Sequence, residues 1–266
     1  MLFLYDLPNW LLGIVVITPI VLCGYAIYFG CHRFIRPEFT ESDRNVALTV
    51  LQVIATVNSL LLAFSAVSVW DSFSAADAAV VKEANTISAL ALDLTVFDSP
   101  ASRDVHRMLF DYANQVVKVE WVDMQDGEAS ADVWDKFDRV FQAIGRLEPD
   151  TPRRVALLPE ILGRTNELLK ERQSRLYTSE AEVPGTLWTV VLLGTILTML
   201  VTVVLPPTRF NIGMVGVLSL SIGFVFFFIV AMDRPFAGKE SISAKPFERA
   251  ISHMQRWDVL TAPKPN

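Results

Sequence analysis

Four stretches of this sequence, roughly 10–31, 45–69, 185–206 and 212–232, contain no Asp, Glu, Lys or Arg. Each is near the ~20 residues that an α-helix needs to cross the hydrocarbon core of a bilayer. A buried core helix could account for one such stretch, but not for four in a chain of 266 residues. With 52% hydrophobic residues and a mean hydropathy of +0.38, the composition also lies outside the range of ordinary soluble domains. No alternation of the kind that marks strands is present. The sequence therefore predicts an all-α integral membrane protein with four transmembrane helices.

Charge separates the chain further. The block 71–182 carries 13 basic and 21 acidic residues, while the whole chain has a net charge of −6. The acidic excess thus belongs to this block, and such a balance argues against nucleic acid as a partner. The expected domains are 1–70, holding spans one and two; 71–183, a helical extramembrane domain; 184–232, holding spans three and four; and 233–266, a C-terminal segment. The first span is read as retained, because no basic residue precedes it as a cleavable leader requires. Four spans put both termini and the polar block on one side. Lys and Arg are divided too evenly between the two sides to orient the chain.

Within the polar block, the run from Trp70 to Asp98 contains neither Gly nor Pro. One helix is expected to continue out of the second span, with Ser42 or Asp43 as its N-cap. Ser99 and Pro100 open the next helix, whose apolar face is read as Val105, Leu109, Tyr112, Val116 and Val119. Further helices are expected at about 131–147 and up to about 179, the last interrupted or bent at Pro159.

The second span is apolar but not uniformly so. Asn45, Thr49, Gln52, Thr56 and Ser59 follow one another at steps of four and three, and Ala63, Ala66 and Trp70 continue the row. Such spacing places them on one helix face. Polar groups facing hydrocarbon are costly, so this face should meet protein or water. Two readings remain open. The stripe packs against other helices, where small and polar side chains are common, or it lines a water-filled path in a ring of subunits. Asn58 and Ser65 lie off the stripe and suit bonds between helices. Asp71 and Asp77 follow where the helix leaves the membrane, either as a solvated face or as a vestibule that concentrates cations.

Little chemistry is written elsewhere. The two cysteines, Cys23 and Cys31, are eight positions apart on one predicted helix, about 12 Å along its axis, too far for a disulfide. With three histidines they form no metal-ligand spacing. No nucleophile, phosphate-loop or dinucleotide motif is present. His106 is read as a surface residue. No enzymatic activity, cofactor or metal is expected.

Three motifs in order carry a resemblance. They are "VWDSFSAADAAVVKEANTISAL", "RQSRLYTSEAEVPGTLW" and, after the fourth span, "DRPFAG" with Asp233, Pro235, Phe236 and Gly238. With the four-span order, they make the chain resemble a family of bacterial and plant membrane proteins known as bestrophin-like (the DUF4239 group). The resemblance implies a homo-oligomer, a pentamer by analogy, that conducts ions in the bacterial inner membrane. It further implies a pore lined by the second span, contact with membrane lipid and a cytoplasmic helical domain. Bestrophins carry a neck of large apolar side chains on that span, whereas the stripe here is small and polar. The acidic block leans toward cations and the kinship toward anions; the residues favour cations slightly. A non-conducting membrane scaffold that binds a partner is the alternative.

One ion pair is also expected. Glu83 lies among Val80, Val81 and Ile87, and a buried carboxylate there needs a cation. Arg172 and Arg175 stand on the helix returning to the membrane, at a comparable height. The guanidinium fork suits a carboxylate best.

Overall fold

The computed structural model describes residues 5, 7–34, 39–180 and 183–261, and among these the secondary structure is helical with no strand. The chain divides into two compact units. The first comprises Met1–Phe73, Glu182–Arg234 and Gly238–Glu240; the second comprises Ser74–Ala181, Pro235–Ala237 and Ser241–Asn266.

The first unit contains α1 (Asn9–Phe34), the first part of α2 (Glu41–Phe97), α7 (Gly185–Val201) and α8 (Arg209–Met232). All four helices are long and apolar enough to cross a membrane. Pro19 lies inside α1 without ending it. Glycines let α1 and α8 approach closely, as small residues do at membrane helix crossings. A Cβ on Gly223 would stand 3.0 Å from the Ile17 side chain, and one on Gly216 would collide with the Tyr25 hydroxyl. The shared core holds Leu62, Val69, Val191, Met199, Ile222, Phe226 and Ile229. The buried Tyr28 hydroxyl lies 3.0 Å from the carbonyls of both Leu205 and Pro206, which meets its need for an acceptor in an apolar setting.

The second part of α2, with α3 (Pro100–Gln115), a π-helical turn (Val116–Glu120), a short α4 (Trp121–Asp123), α5 (Ala131–Gly145), α6 (Pro152–Ser179) and α9 (Lys245–Thr261), forms the second unit. α2 runs unbroken for 57 residues. Its first turn begins earlier than Ser42: Thr40 Oγ1 accepts from the Asp43 N–H at 3.2 Å, and Asp43 Oδ2 accepts from the Thr40 N–H at 3.0 Å. This reciprocal pair is a capping box, so Asp43 closes the cap from the third helical position and Thr40 provides it.

At its other end α2 stops at Asp98, whose φ of 48° lies in the left-handed region. Arg154 then occupies the terminal carbonyls, donating to Phe97 O at 2.7 Å and Asp98 O at 2.5 Å. A cation at a helix C-terminus satisfies both the orphan acceptors and the dipole. Ser99 and Ser102 cap α3 reciprocally, with Pro100 in the first turn. Thr151 caps α6, where Pro152 takes a position that needs no donor;. Pro159 does not interrupt α6. It removes one backbone bond, while Ile161, Thr165 and Leu168 just beyond it are buried and hold the helix by packing.

Candidate functional site

Two constellations stand out, one in each unit. The first is the α2 stripe. Asn45, Thr49, Gln52, Thr56, Ser59, Ala63 and Trp70 are exposed, and Ala66 is half-buried. Ala66 packs against the core at the edge of the packed face of the helix, and the other positions lie outside that face. That face is Asn58, Leu62, Ser65 and Val69, all buried, again at steps of four and three. At ~100° per residue, it lies about a third of a turn from the stripe. The remaining face carries Val46, Val50, Val53, Val57, Leu60 and Phe64, all large, apolar and exposed. α2 therefore presents three faces, of which its own chain covers one. Only 11% of its apolar stretch is buried, against 33% for α7 and α8.

The two threonine hydroxyls of the stripe satisfy their protons locally. Thr49 Oγ1 donates to Asn45 O at 3.0 Å and Thr56 Oγ1 to Gln52 O at 2.7 Å. Their lone pairs still point outward as acceptors. On the packed face, Asn58 Nδ2 donates to Thr195 Oγ1 at 3.4 Å. The Asn58 amide also sits against Gly194, where any larger residue would strike it. Packing between helices within the first unit thus uses Asn58 and Ser65 rather than the polar side chains of the stripe. Asp71 and Asp77 are exposed beyond Trp70.

The second constellation is buried. Glu83, two turns further along the same helix, is not part of a solvated acidic face; its exposure is 0%. Arg175 donates to it through Nε at 2.6 Å and Nη2 at 3.3 Å. Arg172 does not pair with Glu83. It forms a two-pronged contact with Glu120, Nη1 at 2.7 Å and Nη2 at 2.5 Å, the geometry in which guanidinium and carboxylate match best. Arg175 Nη2 also reaches Glu120, at 2.7 Å, so Glu120 bridges the two arginines. Tyr112 completes the group: its hydroxyl donates to Glu83 at 2.7 Å and accepts from Arg172 at 3.1 Å. Each of Glu83, Glu120, Tyr112, Arg172 and Arg175 is fully buried. Aromatic rings close the arrangement. The Arg172 guanidinium lies 4.5 Å from the centre of the Trp134 ring, and that of Arg175 lies 5.5 Å from Phe247.

Sequence periodicity missed Glu120 because it chose Val119. An α-helix would turn Val119 inward, but the segment Val116–Glu120 is a π-turn, with the Trp121 N–H bonded to Val116 O. Glu120 is buried in consequence and Val119 is only half-buried. The apolar row of α3 also proved wider than read: His106 is 4% exposed, hence not a surface residue. Among carboxylates further along α2, Asp93 is half-buried and pairs with Arg164 at 2.5 Å.

The network has a definite electrostatic character. Burial alone would lower the affinity of Arg175 for its proton, but Glu83 and Glu120 outweigh it and push the pKa up. Burial, reinforced by Glu83, holds Tyr112 well above the ordinary tyrosine value. The neutral phenol is therefore the folded form. A raised folded pKa gives a contribution fully present below the unfolded value, ~10, and lost as pH rises above it. The stability of the chain should fall through this alkaline window, and Tyr112→Phe should flatten the fall. Parallel slopes for the two proteins in thermal melts from pH 9 to 11 would show that Tyr112 plays no such part. Two arginines and two glutamates balance one another in charge here, with Arg172 Nε left without a partner among the described residues, and the group joins α2, the π-turn and α6.

The DRPFAG residues have separate duties. Asp233 Oδ1 accepts from the Val183 N–H at 2.9 Å. Pro235 O accepts from Ile242 N–H at 2.8 Å. Phe236 is 2% exposed and meets Trp121 edge-on at 5.7 Å. Gly238 has φ +88° and lies against Tyr5, a conformation that a Cβ would strain.

Comparison with known proteins gives a consistent result. A bestrophin-like domain profile matches residues 19–247. Among solved structures, a bacterial bestrophin homologue from Klebsiella pneumoniae carrying a leucine-to-threonine mutation superposes with a TM-score of 0.61 at 13% identity, covering 94% of this chain and 99% of its own. A membrane protein with a leucine-to-alanine substitution superposes with the same TM-score at 14% identity, covering 92% of this chain and 98% of its own. No curated protein matches the chain.

Proposed function

The chain belongs to the bestrophin-like family, and from that premise we propose that it is an oligomeric ion channel whose pore is lined by α2. The observation that carries this reading is the three-faced α2. Among the described residues the polar side chains of its stripe, Asn45, Thr49, Gln52, Thr56 and Ser59, are exposed, and polar side chains facing lipid are costly. A ring of copies, a pentamer by analogy with bestrophins, would give the stripe a common aqueous axis. The lumen would be lined by Asn45, Thr49, Gln52, Thr56, Ser59, Ala63, Ala66 and Trp70. A neutral lining of this kind selects by dimension and by dipoles rather than by fixed charge. Fixed charge enters below it: Asp71 and Asp77 are exposed, and with the acidic extramembrane unit they support a slight preference for cations. The membrane is the bacterial inner membrane, with the second unit and both termini in the cytoplasm.

The test is flux through the full-length protein in liposomes. Single cysteines at Thr49, Gln52, Thr56 and Ser59, in a background lacking Cys23 and Cys31, should react with polar thiol reagents and lose ion flux on reaction. Protection of all four, with modification of cysteines at the lipid interface, would oppose the pore. Protein that assembles without conducting would favour the scaffold reading. A reporter fused after Asn266 should be active only in the cytoplasm; periplasmic activity would reverse the orientation.

A further inference from the structure

We propose that the segment after α3 can occupy two helical registers, and that Glu120, held by Arg172 and Arg175, locks the one observed. The π-turn is the starting point. A π-helix closes i→i+5 bonds and so accommodates one more residue than an α-helical turn; such insertions concentrate at functional sites. If the extra residue were absorbed into regular α-helix, with α3 fixed, every later residue would move by one seat, ~100°. Val119 would then take the seat of Glu120, Glu120 that of Trp121, and Trp121 that of Val122.

The residues present make both arrangements compatible with the core. Val119 is apolar and would bury well, which is why the α-period selects it. Met124 now faces Arg175, its sulfur 2.6 Å from Nη1. After the slip that seat belongs to Asp123, so Arg175 would lose Glu120 and the thioether, keep Glu83 and meet a carboxylate at Asp123. Arg172 decides the balance. Both of its Nη bonds to a carboxylate go to Glu120, and after the slip only the Tyr112 hydroxyl and the Trp134 ring would remain. The observed register is thus held chiefly by one carboxylate.

The visible consequence falls on Trp121. In the observed register it packs between Phe236 and Phe247, both at 5.7 Å between ring centres. In the other it would stand where Val122 now stands, 57% exposed. Phe236 and Phe247 would lose their shared partner. Trp121 therefore reports the register, and the inference does not depend on whether the protein conducts.

The experiment uses the full-length protein in detergent with 5-fluorotryptophan incorporated, the Trp121 resonance being assigned by its absence in Trp121→Phe. Glu120→Gln should move that resonance to a solvent-exposed position and give it a solvent isotope shift that the parent lacks. An unmoved, solvent-protected resonance in Glu120→Gln would overturn the lock. If Glu120→Gln does not fold, deletion of Val117 decides. Removing the inserted residue should convert the turn to α-helix with Glu120 and Trp121 still in their seats. The Trp121 resonance should then stay protected and the melting temperature unchanged, whereas deleting Phe110, within regular α3, should abolish folding. Loss of folding on deletion of Val117 would overturn the proposal, because the turn would then hold no removable residue.

Discussion

Arg175→Met is expected to destabilise the second unit by about 3–5 kcal/mol, the range for breaking a buried ion pair by removing one partner. Methionine replaces most of the arginine stem, so little volume is lost. What is lost is the cation between Glu83 and Glu120. Both carboxylates are fully buried and both bond to this one guanidinium. Arg172 can neutralise Glu120 but is not bonded to Glu83. Glu83 would keep only the Tyr112 hydroxyl, a neutral donor. The comparison is internal to the protein: Arg103 pairs with Asp98 and Arg107 with Asp104 on the surface, and such exposed pairs are worth about 0–1 kcal/mol. Arg103→Met should leave the melting curve nearly unchanged. The combined Arg175→Met, Glu83→Gln protein should recover part of the loss, since an unpaired buried charge costs more than an unpaired amide. Denaturant unfolding of the full chain, followed by circular dichroism, measures all three. Arg175→Met and Arg103→Met proteins of equal stability would mean that the buried group contributes nothing beyond a surface pair.

How far the sequence foretold this arrangement depends on the kind of signal. The long α2 was readable because nothing between Trp70 and Asp98 can stop a helix. The start of α3 was readable because Ser99 and Pro100 each suit one position and few others. The α2 N-cap was displaced from Ser42 or Asp43 to Thr40 because Asp43 suits both the cap and the third helical position. That Glu83 needs a cation follows from its apolar neighbours, and the structure brings Arg175 to it. Arg172 went to Glu120 instead, and this was not readable: the π-turn breaks the period by which faces are assigned, and a valine beside a glutamate looks like the core residue. The stripe is legible as a face, but whether water or another copy covers it is decided between chains. A single chain leaves its polar side chains exposed and packs its own core against Ala66 at the edge of the row.

That question has a sharp discriminator in two adjacent residues. Thr56→Lys and Val57→Lys place the same charge one position apart, ~100° around α2. Both parent side chains are exposed in the chain, so neither substitution meets a clash within it. If the stripe faces an aqueous axis, the ammonium introduced by Thr56→Lys stays hydrated, and each copy in the ring contributes one positive charge to the lumen. Clefts of one sign change local ion concentrations by roughly 10 to 1,000-fold. Potassium flux into liposomes should therefore fall by at least about tenfold in Thr56→Lys, while chloride flux persists or rises. Val57 belongs to the apolar row, which meets lipid or a neighbouring copy. A lysine there costs about 2.5–3.5 kcal/mol at mid-membrane on insertion scales, and so should reduce yield and assembly without altering the ratio of potassium to chloride in the protein recovered. Thr56→Lys protein that conducts both ions as the parent does would remove the stripe from the pore. The same would follow if Val57→Lys changed selectivity and Thr56→Lys changed only assembly: the path would then run along the apolar row, and the polar stripe would be a packing face between copies.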